Sequence, residues 1–220
     1  MKTLIFSDTH LTDTFDQAKY DFLRRIISQA DKVIINGDFW DGFRCSFDDF
    51  LASDWQQLFP LLLEKQTVYL YGNHDGEEYC DERVSQFSVQ QGLEYQIKLR
   101  DKVVHIEHGD RLDPLFGSHH HSQLWDPILK MYDFFDRINI TYFRNLLRLL
   151  FFPKWLIYLI IKKHVSDFPE NTILVVGHTH WPYFNLHRRF INLDAVAYGF
   201  GGYVTIDDGE RLVWHRERYG

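Results

Sequence analysis

The chain has 220 residues, a mass of 26.4 kDa and 45% hydrophobic residues, which suits one globular domain spanning residues 1–220 and leaves too little chain for two. The formal net charge of -7 argues against a general nucleic-acid-binding role, because phosphate backbones bind to positively charged surfaces. The two cysteines, Cys45 and Cys80, lack zinc-site spacing, so we expect a reduced, cytoplasmic protein.

Short apolar runs recur along the chain and predict buried β-strands. They cover residues 3–6, 32–35, 68–71, 103–106 and 172–176. Between the first three runs, apolar residues recur with the spacing of one helix face, within residues 22–27 and again within residues 47–62. Strands that alternate with helices predict βαβ units and a layered α/β fold.

Residues beyond 182 show a different pattern, in which apolar and polar positions alternate. The segments are 183–187, 190–193, 203–206 and 212–214. Turn-forming residues such as Asp207, Asp208 and Gly209 separate the last two. This pattern predicts an antiparallel β ending.

An apolar and basic insert occupies about residues 122–166 and predicts helices that break at Pro153. Residues 137–166 contain six Arg or Lys and no Asp or Glu. Two interpretations stay open: a helix pair that covers the core, or a cradle for an anionic amphiphile, which supplies both a charge and an acyl surface. For the cradle, the candidate lipid contacts are Arg137, Arg144, Arg148 and Lys154. No stretch reaches the roughly 18 consecutive apolar residues of a membrane span.

Five polar clusters follow the five strand-like runs. They are Asp8-Thr9-His10, Gly37-Asp38-Phe39-Trp40-Asp41, Gly72-Asn73-His74-Asp75, His108-Gly109-Asp110 and Gly177-His178-Thr179-His180. Ligands of open α/β sheets bind beyond the carboxyl ends of the strands, so five such ends can direct their side chains at one crevice. A glycine beside four of the clusters lets the backbone turn sharply.

The side chains in these clusters offer carboxylate oxygens, imidazole nitrogens and one amide oxygen, without a thiolate. This is the ligand set of divalent Mn, Fe, Zn or Co. About eight candidate ligands are too many for one ion, whereas two ions about 3.5–4 Å apart and bridged by a carboxylate would use them all. Such a pair activates water for attack at phosphorus, so we expect phosphoester hydrolysis.

The ordered set D-x-H, G-D-x-x-D, G-N-H-D, H-G-D and G-H-T-H, over residues 8–180, resembles the calcineurin-like metallophosphoesterase superfamily. The resemblance implies a four-layer α/β/β/α sandwich with two mixed β-sheets. It also implies two divalent ions, with Mn as first choice, and Asp38 as the bridging ligand. One ion would be held by Asp8, His10, Asp38 and His180, and the other by Asp38, Asn73, His108 and His178.

The same resemblance sets His74 apart from the ligands. Its imidazole would protonate the leaving oxygen or neutralise charge in the transition state, and Asp75 would orient it. For Asp41 and Asp110 two interpretations stay open: a side chain that supports a metal ligand or contacts substrate, or a plain loop carboxylate.

The insert before the last motif and the stretch Gly-Asp-Phe-Trp-Asp-Gly-Phe resemble the UDP-2,3-diacylglucosamine pyrophosphatases of lipid A synthesis. That resemblance implies a lipid-linked nucleotide sugar as substrate and a peripheral position on the inner face of the membrane. The chain departs from the pattern at His74, where those enzymes often have Arg. The alternatives are a soluble phosphomonoesterase or cyclic-nucleotide phosphodiesterase, and a non-catalytic scaffold, against which the complete ligand set argues.

Overall fold

Two β-sheets pack face to face at the centre of the protein. In this computed structural model the described residues are 1–114, 152–208 and 210–220, with the backbone alone for 152–155. The strands in chain order are β1 (Thr3–Phe6), β2 (Lys32–Asn36), β3 (Val68–Leu70), β4 (Gln90–Gly92), β5 (Glu94–Lys98), β6 (Val103–Glu107), β7 (Thr172–Val176), β8 (Tyr183–Asn185), β9 (Phe190–Asn192), β10 (Phe200–Asp207) and β11 (Arg211–Arg218). One sheet has the order β11–β10–β1–β2–β3–β4 and the other β5–β6–β7–β9–β8.

Both sheets are mixed. In the first, β1 to β4 run parallel to one another, while β10 pairs antiparallel with β1 and with β11. In the second, β6, β7 and β9 are parallel, and β5 and β8 pair antiparallel at the two edges. The parallel strands of each sheet therefore bring their carboxyl ends to one edge of that sheet.

The helices cover the outer faces of the two sheets. Within the described ranges they are α1 (Gln17–Ser28), α2 (Phe47–Ala52), α3 (Phe59–Glu64) and α4 (Phe152–Lys163). The Asp16 side chain caps α1 by accepting a hydrogen bond from the Lys19 N–H at 3.0 Å. The predicted apolar stretch 47–62 forms α2 and α3 with a 3₁₀ turn, Asp54–Leu58, between them.

Alternate residues of the central strands belong to different apolar layers. In β1, Leu4 and Phe6 pack against the core beneath α1 to α3, whereas Ile5 lies in the core between the sheets. In β7, Leu174 packs beneath α4 and Val175 lies between the sheets. Strands buried on both faces have nearly continuous apolar sequences, as the runs predicted. The four-layer α/β/β/α arrangement is thereby confirmed.

The described part of the predicted insert is a core helix. Ile157, Tyr158 and Ile161 of α4 are buried, in one cluster with Val176 and Phe190 of the second sheet. This favours, for α4, the interpretation in which the insert covers the core. Within the described ranges, no helix combines the length and the apolar character needed to span a bilayer.

Two features of the sheets differ from the sequence prediction. Strands β4 and β5 were not predicted, because they lie at the sheet edges and carry half-buried or exposed polar residues instead of an apolar run. The ending is also mixed and not purely antiparallel, since β9 pairs parallel with β7. Side-chain alternation identifies a half-buried strand but does not reveal its direction relative to a distant partner.

Truncation of a buried side chain in α4 tests whether this helix is part of the core. Ile161 is 0% exposed, so we expect Ile161→Ala to lower the free energy of unfolding by about 2–5 kcal/mol. Urea denaturation followed by circular dichroism measures the loss. Ile160→Ala, on the same helix with a half-buried side chain, is the matched control and should cost less. Equal losses for the two variants would contradict the docking of α4.

Candidate metal centre

The strand ends of both sheets meet around one group of polar side chains. Asp8 and His10 follow β1, and Asp38 follows β2. The loops after these strands stay paired beyond the sheet, because the Asp8 N–H donates to the Gly37 carbonyl at 3.1 Å and the His10 N–H donates to the Asp38 carbonyl at 3.0 Å. The first three predicted ligands are therefore fixed by backbone hydrogen bonds as well as by strand position.

The remaining candidate ligands come from three further strand ends. Asn73 follows β3, His108 follows β6, and His178 and His180 follow β7. Hydrogen bonds link the two sheets at this edge. The His178 N–H donates to Asp8 Oδ1 at 3.2 Å, and the Asn36 side-chain amide donates to the Glu107 carbonyl at 2.9 Å. The loop with Asp38 is anchored from beneath by Phe39 and Trp40, which are fully buried.

The four residues predicted to hold one ion lie close together. His180 Nε2 is 3.2 Å from Asp8 Oδ1 and 3.2 Å from His10 Nε2. The His10 nitrogen is in turn 3.8 Å from Asp38 Oδ2.

The second predicted group has the same spacing. Asn73 Oδ1 lies 2.9 Å from His178 Nδ1 and 3.2 Å from His108 Nε2. His108 Nε2 is also 3.3 Å from Asp38 Oδ2. Asp38 thus contacts both groups, as its predicted bridging position requires.

Most of these distances fit residues that share a cation. Two donor atoms that each lie about 2.1 Å from one ion are roughly 3.0–3.4 Å apart in tetrahedral or octahedral geometry. Ligand atoms of three residue groups lie within 4.8 Å of one another, namely Asp8–His10–His180, His10–Asp41–His74 and Asp8–Asp38–His108. The donor chemistry and the spacing both suit divalent ions.

The candidate ligands occupy an uncommon backbone conformation. Positive φ angles occur at Asp8 (55°), His10 (45°), Asp38 (52°), His178 (63°) and His180 (50°). Non-glycine residues seldom adopt this left-handed region, and each such residue costs on the order of 1–3 kcal/mol. The sharp turn at each strand end directs two residues of a short motif toward the same point.

Two glycines of the motifs are required for different reasons. Gly37 has φ of +80°, and a Cβ there would also overlap the His108 ring. Gly72 does not have a positive φ, yet a Cβ there would lie 2.7 Å from the Asp38 backbone nitrogen and collide with its carboxylate. From the sequence we expected both glycines to be needed for their backbone freedom. At Gly72 the reason is instead steric, because Asp38 leaves no room for a side chain.

The charges of the cluster act strongly on one another. Burial alone would raise the pKa of Asp8, but the neighbouring His180 lowers it to about 2. Burial likewise opposes ionisation of Asp38, whose pKa is nevertheless held well below its usual range by His108. Burial lowers the pKa of His10 to about 3. Ionised carboxylates packed among imidazoles form an environment that favours bound positive charge.

His74 contacts both the ligand cluster and a carboxylate outside the predicted ligand set. Its Nδ1 lies 3.0 Å from Asp41 Oδ1 and its Nε2 lies 4.0 Å from Asp38 Oδ2. The ring packs between His10 and Phe43, at centroid distances of 4.5 and 4.3 Å. Burial lowers the pKa of His74, but Asp38 and Asp41 raise it more, so the net shift is upward. Its side chain is 27% exposed, against 16% for His10.

The carboxylate in contact with the His74 ring is that of Asp41, and the Asp75 carboxylate, expected from the sequence to orient His74, has other partners. Asp75 is fully buried and accepts hydrogen bonds from the backbone N–H groups of Asp38 (2.9 Å), Phe39 (2.6 Å) and Gly72 (2.8 Å). Its carboxylate therefore joins the loops after β2 and β3. Burial and the charge of Asp38 raise the pKa of Asp75, while the three donors favour its ionised form.

The loop after β6 contains one predicted residue and one that sequence reasoning missed. Asp110 is half-buried, and burial raises its pKa while His108 opposes the shift. Asp113 has a fully buried side chain whose Oδ2 lies 3.0 Å from His178 Nε2. Asp113 stands outside the five motifs, so only the fold shows its contact with a candidate ligand.

None of the four side chains predicted to contact lipid is among the described side chains. Arg137, Arg144 and Arg148 lie outside the described residues. Lys154 belongs to α4, and its side chain lies outside the described part as well. These four assignments stay predictions.

Comparison with a solved structure agrees with the fold. Among solved structures, the chain is similar to an archaeal phosphodiesterase, with 18% identity, coverage of 99% of this chain and 100% of that chain, and a TM-score of 0.53. It is also similar to the E. coli phosphoesterase Yfce, with 15% identity, full coverage of both chains and a TM-score of 0.49. No curated protein matches the chain.

A model of one protein family covers most of the sequence. The model describes calcineurin-like phosphoesterases and matches residues 1–204. The match includes all five motifs and every candidate ligand. The chain belongs to the calcineurin-like phosphoesterase family.

Proposed function

We propose that this metal-dependent phosphoesterase hydrolyses its substrate at a pair of divalent ions held by Asp8, His10, Asp38, Asn73, His108, His178 and His180. The observation that carries the proposal is the position of Asp38 Oδ2. It lies 3.8 Å from His10 Nε2 in one ligand group and 3.3 Å from His108 Nε2 in the other. One carboxylate oxygen that contacts both groups is suited to bridge two ions.

The bound ions would supply an activated water and neutralise charge on the phosphoryl oxygens. His74 would donate a proton to the leaving oxygen as the bond from phosphorus to that oxygen breaks. Asp41 holds the Nδ1 side of the His74 ring, and therefore directs Nε2 toward the reaction site. Asp75 has a structural part, since its carboxylate fixes the two loops that present Asp38 and His74.

For the substrate, we infer a lipid-linked nucleotide sugar such as UDP-2,3-diacylglucosamine. Support comes from the sequence resemblance and from the basic, apolar composition of residues 137–166. Under this proposal the protein acts at a membrane surface, and Mn is the first ion to test.

A second candidate is a phosphomonoesterase or phosphodiesterase for soluble substrates. The apolar side of α4 favours it, because Ile157 and Ile161 pack on the second sheet and not on a ligand.

Loss of the bridging carboxylate tests the two-ion centre. We expect the protein to bind two Mn²⁺ ions per chain and Asp38→Asn to lose both, because Asp38 contacts both ligand groups. Inductively coupled plasma mass spectrometry after desalting counts the ions. Asp31→Asn, which removes an exposed carboxylate, is the matched control. Retention of two ions by Asp38→Asn would rule out the bridging assignment.

Substitution at His74 separates proton transfer from ion binding. We expect His74→Ala to lower kcat by about 10²–10⁴-fold, and Asp41→Asn to lower it by roughly 10–100-fold, with ion content unchanged. Steady-state assays with bis(p-nitrophenyl) phosphate and Mn²⁺ measure both effects. His164→Ala removes a partly exposed histidine outside the cluster and serves as control. Wild-type turnover by His74→Ala would show that His74 takes no part in the reaction.

Substrate preference distinguishes the two candidate functions. Under the lipid-linked proposal, Mn-loaded protein releases UMP from UDP-2,3-diacylglucosamine. Arg144→Ala/Arg148→Ala then weakens only that activity, because bis(p-nitrophenyl) phosphate has no acyl chains. The exposed Arg24 of α1 provides the control substitution, Arg24→Ala. Good turnover of soluble esters without any release of UMP would favour the second candidate.

A further inference from the structure

Asp113 contacts a candidate metal ligand, His178, from the side opposite the second ligand group. His178 turns its Nδ1 toward Asn73 Oδ1, 2.9 Å away, within the second ligand group. Its other ring nitrogen, Nε2, lies 3.0 Å from Asp113 Oδ2. The side chain of Asp113 is 0% exposed and that of His178 is 9% exposed. The imidazole is therefore held between the ligand group and a buried carboxylate.

The backbone after β6 places Asp113 at this position. Gly109 has φ of +104° and begins a 3₁₀ turn, Asp110–Leu112, after which Asp113 follows. The Asp113 N–H donates to the Asp110 carbonyl at 2.9 Å, which closes the turn. A Cβ on Gly109 would lie 3.1 Å from the Val176 side chain, next to the loop that holds His178. This tight turn brings the loop after β6 into contact with His178, the candidate ligand that follows β7.

Two other imidazoles of the centre, those of His108 and His10, are supported differently. We call the ring nitrogen that does not face the other ligands the outer nitrogen. The outer nitrogen of His108, Nδ1, lies 2.9 Å from the backbone carbonyl of Asn36. The outer nitrogen of His10, Nδ1, is buried, and no partner for it exists among the described residues. A carboxylate is a stronger acceptor than a carbonyl, and it raises the basicity of the ring that it contacts. His178 therefore has the strongest outer support of these three rings.

We propose that Asp113 is a positioning residue that orients His178 and strengthens its bond to the ion of the second ligand group. The inference rests on the proposed two-ion centre. Asp113 Oδ2 accepts a hydrogen bond from the Nε2–H of His178, which leaves the Nδ1 lone pair free for the ion. Removal of a carboxylate in this position usually lowers metal affinity by about 10–100-fold. We expect an effect of this size on one ion of the pair.

The experiment measures ion binding without substrate. Mn²⁺ titration by isothermal calorimetry gives both dissociation constants for wild-type protein, Asp113→Asn, His178→Ala and the double variant. Asp167→Asn is the matched control, because Asp167 Oδ2 contacts His164 Nδ1 at 2.7 Å in a pair outside the centre. Visible absorption of the Co²⁺-loaded proteins reports the ligand geometry. Ion-free melting curves check that each variant folds.

We expect Asp113→Asn to weaken the binding of one Mn²⁺ ion about 10–100-fold and to shift the Co²⁺ absorption bands. In the double variant, Asp113→Asn should cause no loss of affinity beyond that of His178→Ala alone. Asp167→Asn should leave both constants unchanged. The proposal would be overturned if Asp113→Asn bound both Mn²⁺ ions as tightly as the wild-type protein. It would also be overturned if Asp113→Asn weakened Mn²⁺ binding by the same factor in the His178→Ala background as in the wild-type protein. If Asp113→Asn does not fold, Asp113→Glu replaces it with the same criteria. If the wild-type protein binds two ions but hydrolyses no phosphoester, that result would count against the proposed function and leave the inference about Asp113 standing.

Discussion

The crowding of imidazole rings around the ionised carboxylate of Asp38 is the constraint on which the rest of the site depends. Its Oδ2 lies within 4.0 Å of imidazole nitrogens from three loops. Two of these loops belong to the first sheet, and the loop with His108 belongs to the second. The distance between the sheets is set by the apolar layer that they share. The chemistry at the edge thus depends on side chains such as Ile5 and Val175, which lie in that layer.

The central strands could be predicted from sequence because they are buried on both faces. Residues of β1 and β7 have no exposed side, so their apolar character is continuous and a turn of polar residues marks each carboxyl end. The edge strands lack this signal. In β4 and β5, exposed polar side chains are compatible with a loop, so the sequence pattern does not distinguish these edge strands from irregular structure.

The candidate site was predictable to the extent that chemistry dictates residue type. A ligand must be a carboxylate, imidazole or amide, so Asp38 and His178 are recognisable within their motifs. Which carboxylate contacts an imidazole depends on the three-dimensional fold, and the carboxylate nearest in sequence need not be the one in contact. Asp75 is adjacent to His74 and turns away from it, while Asp41 reaches it from another loop. Asp113 contacts His178 across 65 residues of sequence.

The left-handed backbone at five candidate ligands has a consequence for folding as well as for chemistry. Each strained residue disfavours the native state by on the order of 1–3 kcal/mol, and the apolar layers must offset that sum before any ion arrives. An ion that binds only the folded chain shifts the folding equilibrium in proportion to the logarithm of its concentration. Divalent ions would therefore act as folding ligands, and variants with a weakened core would come to depend on metal supply for their stability.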